Sequence, residues 1–233
     1  MEKSYQNISY FFVGILICVL IGFHFTYTVK FPNFEGLTTA HHFHGAMLMS
    51  WFAMLIIQPI LIRLNKREWH RQLGKVSYVQ IPLLVFSIFL VTKIAYLKNM
   101  PLMPFNAVIG VLSVDIPAIF SFSFFYILAM INRKNTPSHL RYMIGTSLLM
   151  IGPGIGRAMI IFGGLPFPVA LNYTMYITEI LAIGFIIFDY LKGASIKPFV
   201  IILLVLIACH LCWSYQMSGW WQSFGGWFVG VFF

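Results

Sequence analysis

The feature that most constrains the fold is a succession of apolar stretches that carry almost no charge. A stretch of about twenty apolar residues is long enough to cross the hydrocarbon core of a bilayer as an α-helix. Short connections between such stretches indicate that successive helices pack as antiparallel neighbours. The sequence predicts seven spans, at residues 8–29, 40–63, 73–97, 105–131, 139–162, 170–191 and 197–217.

The composition supports the same class of protein. Charged residues make up 9% of the chain and hydrophobic residues 60%, whereas soluble domains carry roughly 25% charged residues. We therefore expect an all-α membrane protein with one bundle of about seven transmembrane helices in residues 1–217. The net charge of +9 lies mostly in short loops, so it predicts orientation and not binding of nucleic acid.

The basic residues are distributed unevenly between the two ends of the bundle. Eleven lie before the first span or in the loops after the second, fourth and sixth spans, and four lie on the other side. Since cytoplasmic loops are enriched in Lys and Arg, the N-terminus is predicted to be cytoplasmic and the C-terminus outside. The first apolar run is too long for a cleavable signal peptide. We expect a bacterial cytoplasmic membrane as the location.

The tail, residues 218–233, is uncharged and rich in tryptophan, with Trp220, Trp221 and Trp227. It is too short to cross the bilayer. We expect it to lie as an aromatic segment in the outer interface, or to pack on a partner subunit of a respiratory or other membrane complex.

Five of the seven histidines cluster near the predicted outer ends of spans. They are His24, His41, His42, His44 and His210. At about 1.5 Å of rise per residue, His24, His44 and His210 all lie within roughly 6–11 Å of the outer boundary. Arg157 lies at a comparable depth, while Glu179 and Asp115 lie deeper.

Neutral imidazole binds haem iron, copper and zinc. The sequence predicts that His44 and His210 hold a haem b and that Arg157 pairs with a propionate. The alternative is a copper or zinc site built from His24, His42, His44 and His210.

Glu179 and Asp115 are candidates for a proton or charge relay, because an ionisable group inside a bilayer is costly. An ion pair between Arg157 and Glu179 that only holds the bundle together is the competing interpretation.

A second set of histidines and arginines lies at the cytoplasmic side. His70 and Arg71 begin one returning helix, and His139 and Arg141 begin another. They predict either a second haem or metal site with the arginines on propionates, or interface residues that bind lipid phosphate.

Prolines are expected to interrupt three spans. Pro82, Pro117 and Pro153 fall in the third, fourth and fifth spans. Pro153 should free a backbone carbonyl near Leu149.

Several motifs carry a resemblance over about half of the chain. They are His42-Phe43-His44-Gly45, Trp51, Gln58, His70-Arg71-Gln72-Leu73-Gly74, His139-Leu140-Arg141-Tyr142-Met143, Pro153 and Arg157. In this order they resemble a family of uncharacterised bacterial multi-pass membrane proteins with HxHG, HRxLG and HxRxM motifs. That resemblance implies membership of a bacterial membrane family and brings no established activity.

Residues 39–52 are also similar to the second helix of haem–copper oxidase subunit I. This local resemblance implies that His44 or His42 ligates a haem opposite His210. The inner histidines are similar to those of transmembrane b-type cytochromes with two haems. The chain differs from the oxidases in lacking their twelve spans and their copper-binding histidine cluster.

The leading prediction is therefore a redox-related membrane protein that binds haem, whether or not it acts as an oxidoreductase. No catalytic residue is predicted. The alternatives are a copper- or zinc-handling or oxidase-assembly factor, and a non-catalytic accessory subunit of a membrane complex.

Overall fold

A computed structural model describes residues 2–233, and helices are the only regular secondary structure in that range. Two 3-10 turns, Lys3–Tyr5 and Thr28–Lys30, accompany the α-helices. The α-helices in chain order are α1 (Ile8–His24), α2 (Thr39–Arg63), α3 (Arg67–Asn99), α4 (Phe105–Ile131), α5 (Thr136–Leu148), α6 (Ile151–Gly163), α7 (Phe167–Leu191), α8 (Lys197–Ser214) and α9 (Gly219–Phe232).

Seven segments of the described chain are long and apolar enough to cross a membrane, which confirms the predicted number of spans. Helices α5 and α6 together form the fifth of them, Thr136–Gly163. The largest differences from the predicted ends are in two places. Helix α1 ends at His24, and α3 begins at Arg67. Hydropathy reports the thickness of the apolar layer, so it misses the turns of α3 that extend beyond that layer, and it does not detect that α1 ends before the 3-10 turn Thr28–Lys30.

The fifth span breaks where the proline was expected to act. Helix α5 ends at Leu148 and α6 begins at Ile151. Pro153 has no N–H to donate to the carbonyl of Leu149 four residues earlier, so the regular ladder stops there. Helices α3 and α4, in contrast, continue through Pro82 and Pro117 without a break. For these two prolines the prediction of an interruption was wrong, because a long helix can kink at a proline and resume.

The break redirects the fifth span through the bundle. Its first half, α5, packs on α4 and α8, whereas its second half, α6, packs on α1 and α7. Glycines make the second contact close. A Cβ on Gly22 of α1 would collide with the backbone of Gly154 in α6, and one on Gly154 would collide with the backbone of Val19. Small residues allow this approach of two backbones inside a membrane.

The aromatic tail folds as α9 and packs against α4 of the same chain. The indole Nε1–H of Trp221 donates to the carbonyl of Ile109 at 3.0 Å. Phe228 and Val229 complete a small buried cluster with Ile109. The tail is therefore an integral part of this end of the bundle.

Candidate functional site

His44 is held inside the bundle by a hydrogen bond to the neighbouring helix. Its Nδ1 lies 3.0 Å from Oγ of Ser87 on α3. The hydroxyl of Ser87 already donates its single hydrogen to the carbonyl of Leu84, at 2.6 Å. A serine oxygen in that state can only accept, so Nδ1 of His44 carries the proton. In the neutral ring, the lone pair is then on Nε2, which makes no hydrogen bond in residues 2–233.

Arg157 on α6 lies between two other ionisable groups. Its charge acts on His44 and also on Asp115 of α4. Arg157 donates to the carbonyl of Pro153 at 2.9 Å and stacks over the ring of Phe23, 4.2 Å from its centroid. Within residues 2–233, no carboxylate lies within salt-bridge distance of Arg157. A cation in this position is available to an anionic ligand.

His210 is held in a comparable way by a carboxylate. Its Nδ1 lies 2.8 Å from Oε1 of Glu179 on α7, and both side chains are about seven-eighths buried, at 13% and 15% exposure. An ionised carboxylate only accepts hydrogen bonds, so Nδ1 of His210 is the donor and the lone pair of the neutral ring is again on Nε2. The ring of Tyr176 packs edge-on against the imidazole. A histidine oriented by a carboxylate is the usual arrangement of a metal-ligating imidazole.

The other histidines that were predicted near the outer face, His24, His41 and His42, have different neighbours. His24 is exposed at the end of α1, with Thr28 beside its Nδ1. His41 closes the N-terminus of α2, because its Nδ1 accepts from the backbone N–H of Thr38. His42 lies 2.6 Å from the hydroxyl of Tyr27.

The structure does not assemble the predicted four-histidine metal centre. In the range 2–233, no three His, Cys, Asp or Glu side chains form a group that could hold a metal ion. His24, His42, His44 and His210 are therefore not brought together. His44 bonds to α3 and His210 to α7. The ion pair considered between Arg157 and Glu179 is also not formed, since Glu179 binds His210 instead.

Arg141 is the centre of a buried ion cluster and is not free for a propionate or a lipid phosphate, which corrects that prediction. Its Nε and Nη2 donate to the two oxygens of Asp189, at 2.6 and 2.8 Å. Its Nη1 donates to Glu2 at 2.7 Å, and the hydroxyl of Tyr5 donates to Asp189 at 2.8 Å. The side chains of Arg141 and Asp189 are each 1% exposed. The bidentate pair joins α5 to α7.

The other three candidates of that predicted set, His139, Arg71 and His70, make no hydrogen bond to Arg141. Nδ1 of His139 donates to the carbonyl of Ala129 at 2.8 Å. Arg71 is exposed. Nδ1 of His70 is buried and has no hydrogen-bond partner.

Sequence reasoning missed two residues that hold predicted candidates in place, Asp189 for Arg141 and Ser87 for His44. Asp189 was overlooked although a carboxylate within an apolar span is itself a signal. Ser87 was overlooked because serine is common in transmembrane helices. Its spacing of seven residues from Gln80 was the available signal, since seven residues is nearly two turns and places both on one face.

Comparison of this chain with protein-family models, with curated proteins and with solved structures finds no match. The family resemblance described from the motifs therefore stays a prediction.

Proposed function

We propose that this chain is a haem-binding membrane protein with a redox role, and that His44 and His210 are its ligand candidates. The observation that carries the proposal is the protonation pattern of the two rings. Each is held at Nδ1 by a partner that only accepts, which leaves the lone pair of each neutral ring on Nε2.

The donor set suits haem. Haem iron takes only one or two ligands from the protein, so single imidazoles on separate helices meet its requirement. Arg157 supports the proposal because a guanidinium pairs well with a carboxylate such as a propionate. Bound haem would supply one-electron chemistry. The protein would contribute the fixed rings, the counter-charge and a largely apolar environment, the factors that set a haem's potential.

The residues around the site have defined parts in this proposal. Ser87 and Glu179 fix the ring orientation of His44 and His210 respectively, as second partners of metal-ligating histidines do. Asp115 makes no hydrogen bond within residues 2–233 and lies on α4 ten residues from its outer end, or about 15 Å along the helix axis. It is the candidate acceptor for a proton that accompanies an electron.

The test is the absorption spectrum of the purified protein, as isolated and after addition of haemin. We expect a Soret band, and a separate α-band that sharpens when the haem is reduced. His44→Ala and His210→Ala should each abolish or shift that spectrum. His41→Ala and His24→Ala are matched controls from the same end of the bundle, and they should leave it unchanged.

Two results would overturn the proposal. One is a folded protein that stays colourless after haemin is added. The other is a Soret band that survives the replacement of both His44 and His210. Metal analysis runs alongside, and colourless protein with stoichiometric copper or zinc would favour the metal-handling alternative.

A further inference from the structure

Buried polar atoms without partners concentrate at one place in the molecule. The range 2–233 contains five buried side-chain nitrogen or oxygen atoms that make no hydrogen bond, and four of them belong to α2 and α3. These four are Nε1 of Trp51, Oε1 of Gln58, Oε1 of Gln80 and Nδ1 of His70. Leaving a buried polar group unpaired costs about 1–3 kcal/mol. Four such groups along one helix pair call for a bound partner.

The four atoms belong to a row of polar side chains on two neighbouring helices, which we name the α2–α3 seam. It consists of His44, Ser50, Trp51 and Gln58 on α2, and His70, Ser77, Gln80 and Ser87 on α3.

The two helices meet in one antiparallel register along the α2–α3 seam. His44 contacts Ser87, and Nε2 of Gln80 donates to Oγ of Ser50 at 2.9 Å. Nearer the cytoplasm, Nε2 of Gln58 lies 3.6 Å from where a Cβ on Gly74 would be. The α2 members His44, Trp51 and Gln58 follow one another at intervals of seven residues, so they share one face of the helix.

The seam reaches across most of the bilayer. His70 and Ser87 are seventeen residues apart on α3, which corresponds to about 25 Å at 1.5 Å per residue. The hydrocarbon core is about 30 Å thick. Between the two ends, the hydroxyl of Ser77 lies 2.7 Å from that of Tyr126 on α4. Hydroxyl groups therefore occupy the middle of the line.

Water has both the donors and the acceptor that this set of atoms needs. The indole Nε1–H of Trp51 is a donor, whereas Oε1 of Gln58 and Oε1 of Gln80 are acceptors. A water molecule accepts from the first and donates to the others. Internal waters typically have two to four polar partners of this kind. Consecutive waters in a line also accept and donate to one another, so they can pass a proton along.

We propose that the α2–α3 seam is a water-filled proton path that connects the cytoplasmic side, at His70, with the opposite end of the seam, at Ser87. A proton enters from cytoplasmic water and moves from water to water past Gln58 and Gln80. It then passes Ser50 and leaves beside Ser87. The inference does not rest on haem binding, since it uses only the seam's own polar atoms.

Hydration is tested by hydroxyl-radical footprinting of the full chain in nanodiscs, read by mass spectrometry. Trp51 and Trp221 form a matched pair. They are 0% and 2% exposed, but Nε1–H of Trp221 is bonded to the carbonyl of Ile109, whereas that of Trp51 is free. Radicals form from water next to the side chain, so we expect Trp51 to be oxidised at least about tenfold faster than Trp221.

Conduction is tested with proteoliposomes that carry a potassium gradient, valinomycin and a pH-sensitive dye. We expect the protein to carry protons faster than empty liposomes do. Gln80→Leu should reduce the rate about tenfold, because breaking one link of the water line costs about 1.4 kcal/mol or more. Gln6→Leu replaces an exposed glutamine at the N-terminus and should leave the rate unchanged.

Each outcome decides the matter. Equal oxidation of Trp51 and Trp221 would overturn the inference, because the seam would then be dry. The inference would also be overturned if Trp51 is oxidised fast but the proton flux is no greater than that of empty liposomes. Equal proton fluxes in Gln80→Leu and Gln6→Leu would overturn it too. In both cases the water would be structural and would not conduct protons. A hydrated, conducting seam in a colourless protein would support it while refuting the haem proposal.

Discussion

The buried ion cluster around Arg141 allows a quantitative test. Arg141 and Asp189 form a bidentate pair in which each side chain is 1% exposed. Replacing Asp189 with Asn removes the charge but keeps the shape, so the buried guanidinium keeps only the more exposed carboxylate of Glu2 as its counter-ion. Breaking a buried pair from one side costs about 3–5 kcal/mol. We expect the free energy of unfolding to fall by that amount.

Glu2 supplies a matched control because it binds the same guanidinium from a more exposed position. Its side chain is 28% exposed. Glu2→Gln should therefore cost no more than about 1 kcal/mol, the upper end for solvent-exposed pairs. The double variant with leucine at both Arg141 and Asp189 should regain most of the loss, since it leaves no unpaired buried charge at the bidentate pair.

The assay is unfolding of purified protein in mixed micelles with increasing SDS, followed by far-UV circular dichroism. The unfolding free energies of the three variants are compared with that of the unaltered chain. The reasoning fails if Asp189→Asn and Glu2→Gln cost the same, or if the double-leucine variant is less stable than Asp189→Asn alone. Either result would mean that burial does not govern the strength of this pair.

Three further predictions concern packing, orientation and the tail. Gly22→Val should lower the free energy of unfolding by at least about 3 kcal/mol, because the new side chain collides with the backbone of Gly154. Gly14→Val is the control and should change the free energy of unfolding little, because a Cβ there meets no atom within 4 Å. Unfolding in SDS measures both variants, and similar costs would contradict the close α1–α6 contact. Orientation is tested in a chain without native cysteines, with a maleimide that does not cross membranes. Lys66→Cys should react only in inverted vesicles and Glu35→Cys only in right-side-out cells, since basic loops stay cytoplasmic. The reverse labelling pattern would show that the predicted topology is inverted. Gly225→Leu should destabilise the fold, because any side chain there meets Ile109 on α4; unchanged thermal stability would show that α9 does not depend on α4.

Much of the fold could be predicted from the sequence. Membrane thickness sets the length of an apolar span, so hydropathy alone located seven of them. The missing N–H of Pro153 located the break in the fifth span, because that effect acts within four residues of the chain. Pro82 and Pro117 were misjudged because a helix can continue past a proline when its neighbours hold it in place.

The candidate site was predictable only in part. A constant rise per residue predicts that His44 and Arg157 lie at comparable depths, and in the structure the charge of Arg157 acts on His44. Which nitrogen of His44 carries the proton depends on Ser87, which is 43 residues away in the chain, and on the hydroxyl of Ser87 being committed to Leu84. Arg141 likewise found Asp189 at a separation of 48 residues. Sequence patterns within one helix do not contain such pairings.

The sequence by itself determined that the chain is helical and how many of its segments are long and apolar enough to cross a membrane. These follow from local quantities, the apolar length of a segment and the rise of a helix. Only the tertiary structure decided which polar groups are paired and which are left unpaired along α2 and α3. Hydrogen bonds are short and directional, so a pairing exists only once separate helices have been brought into one register.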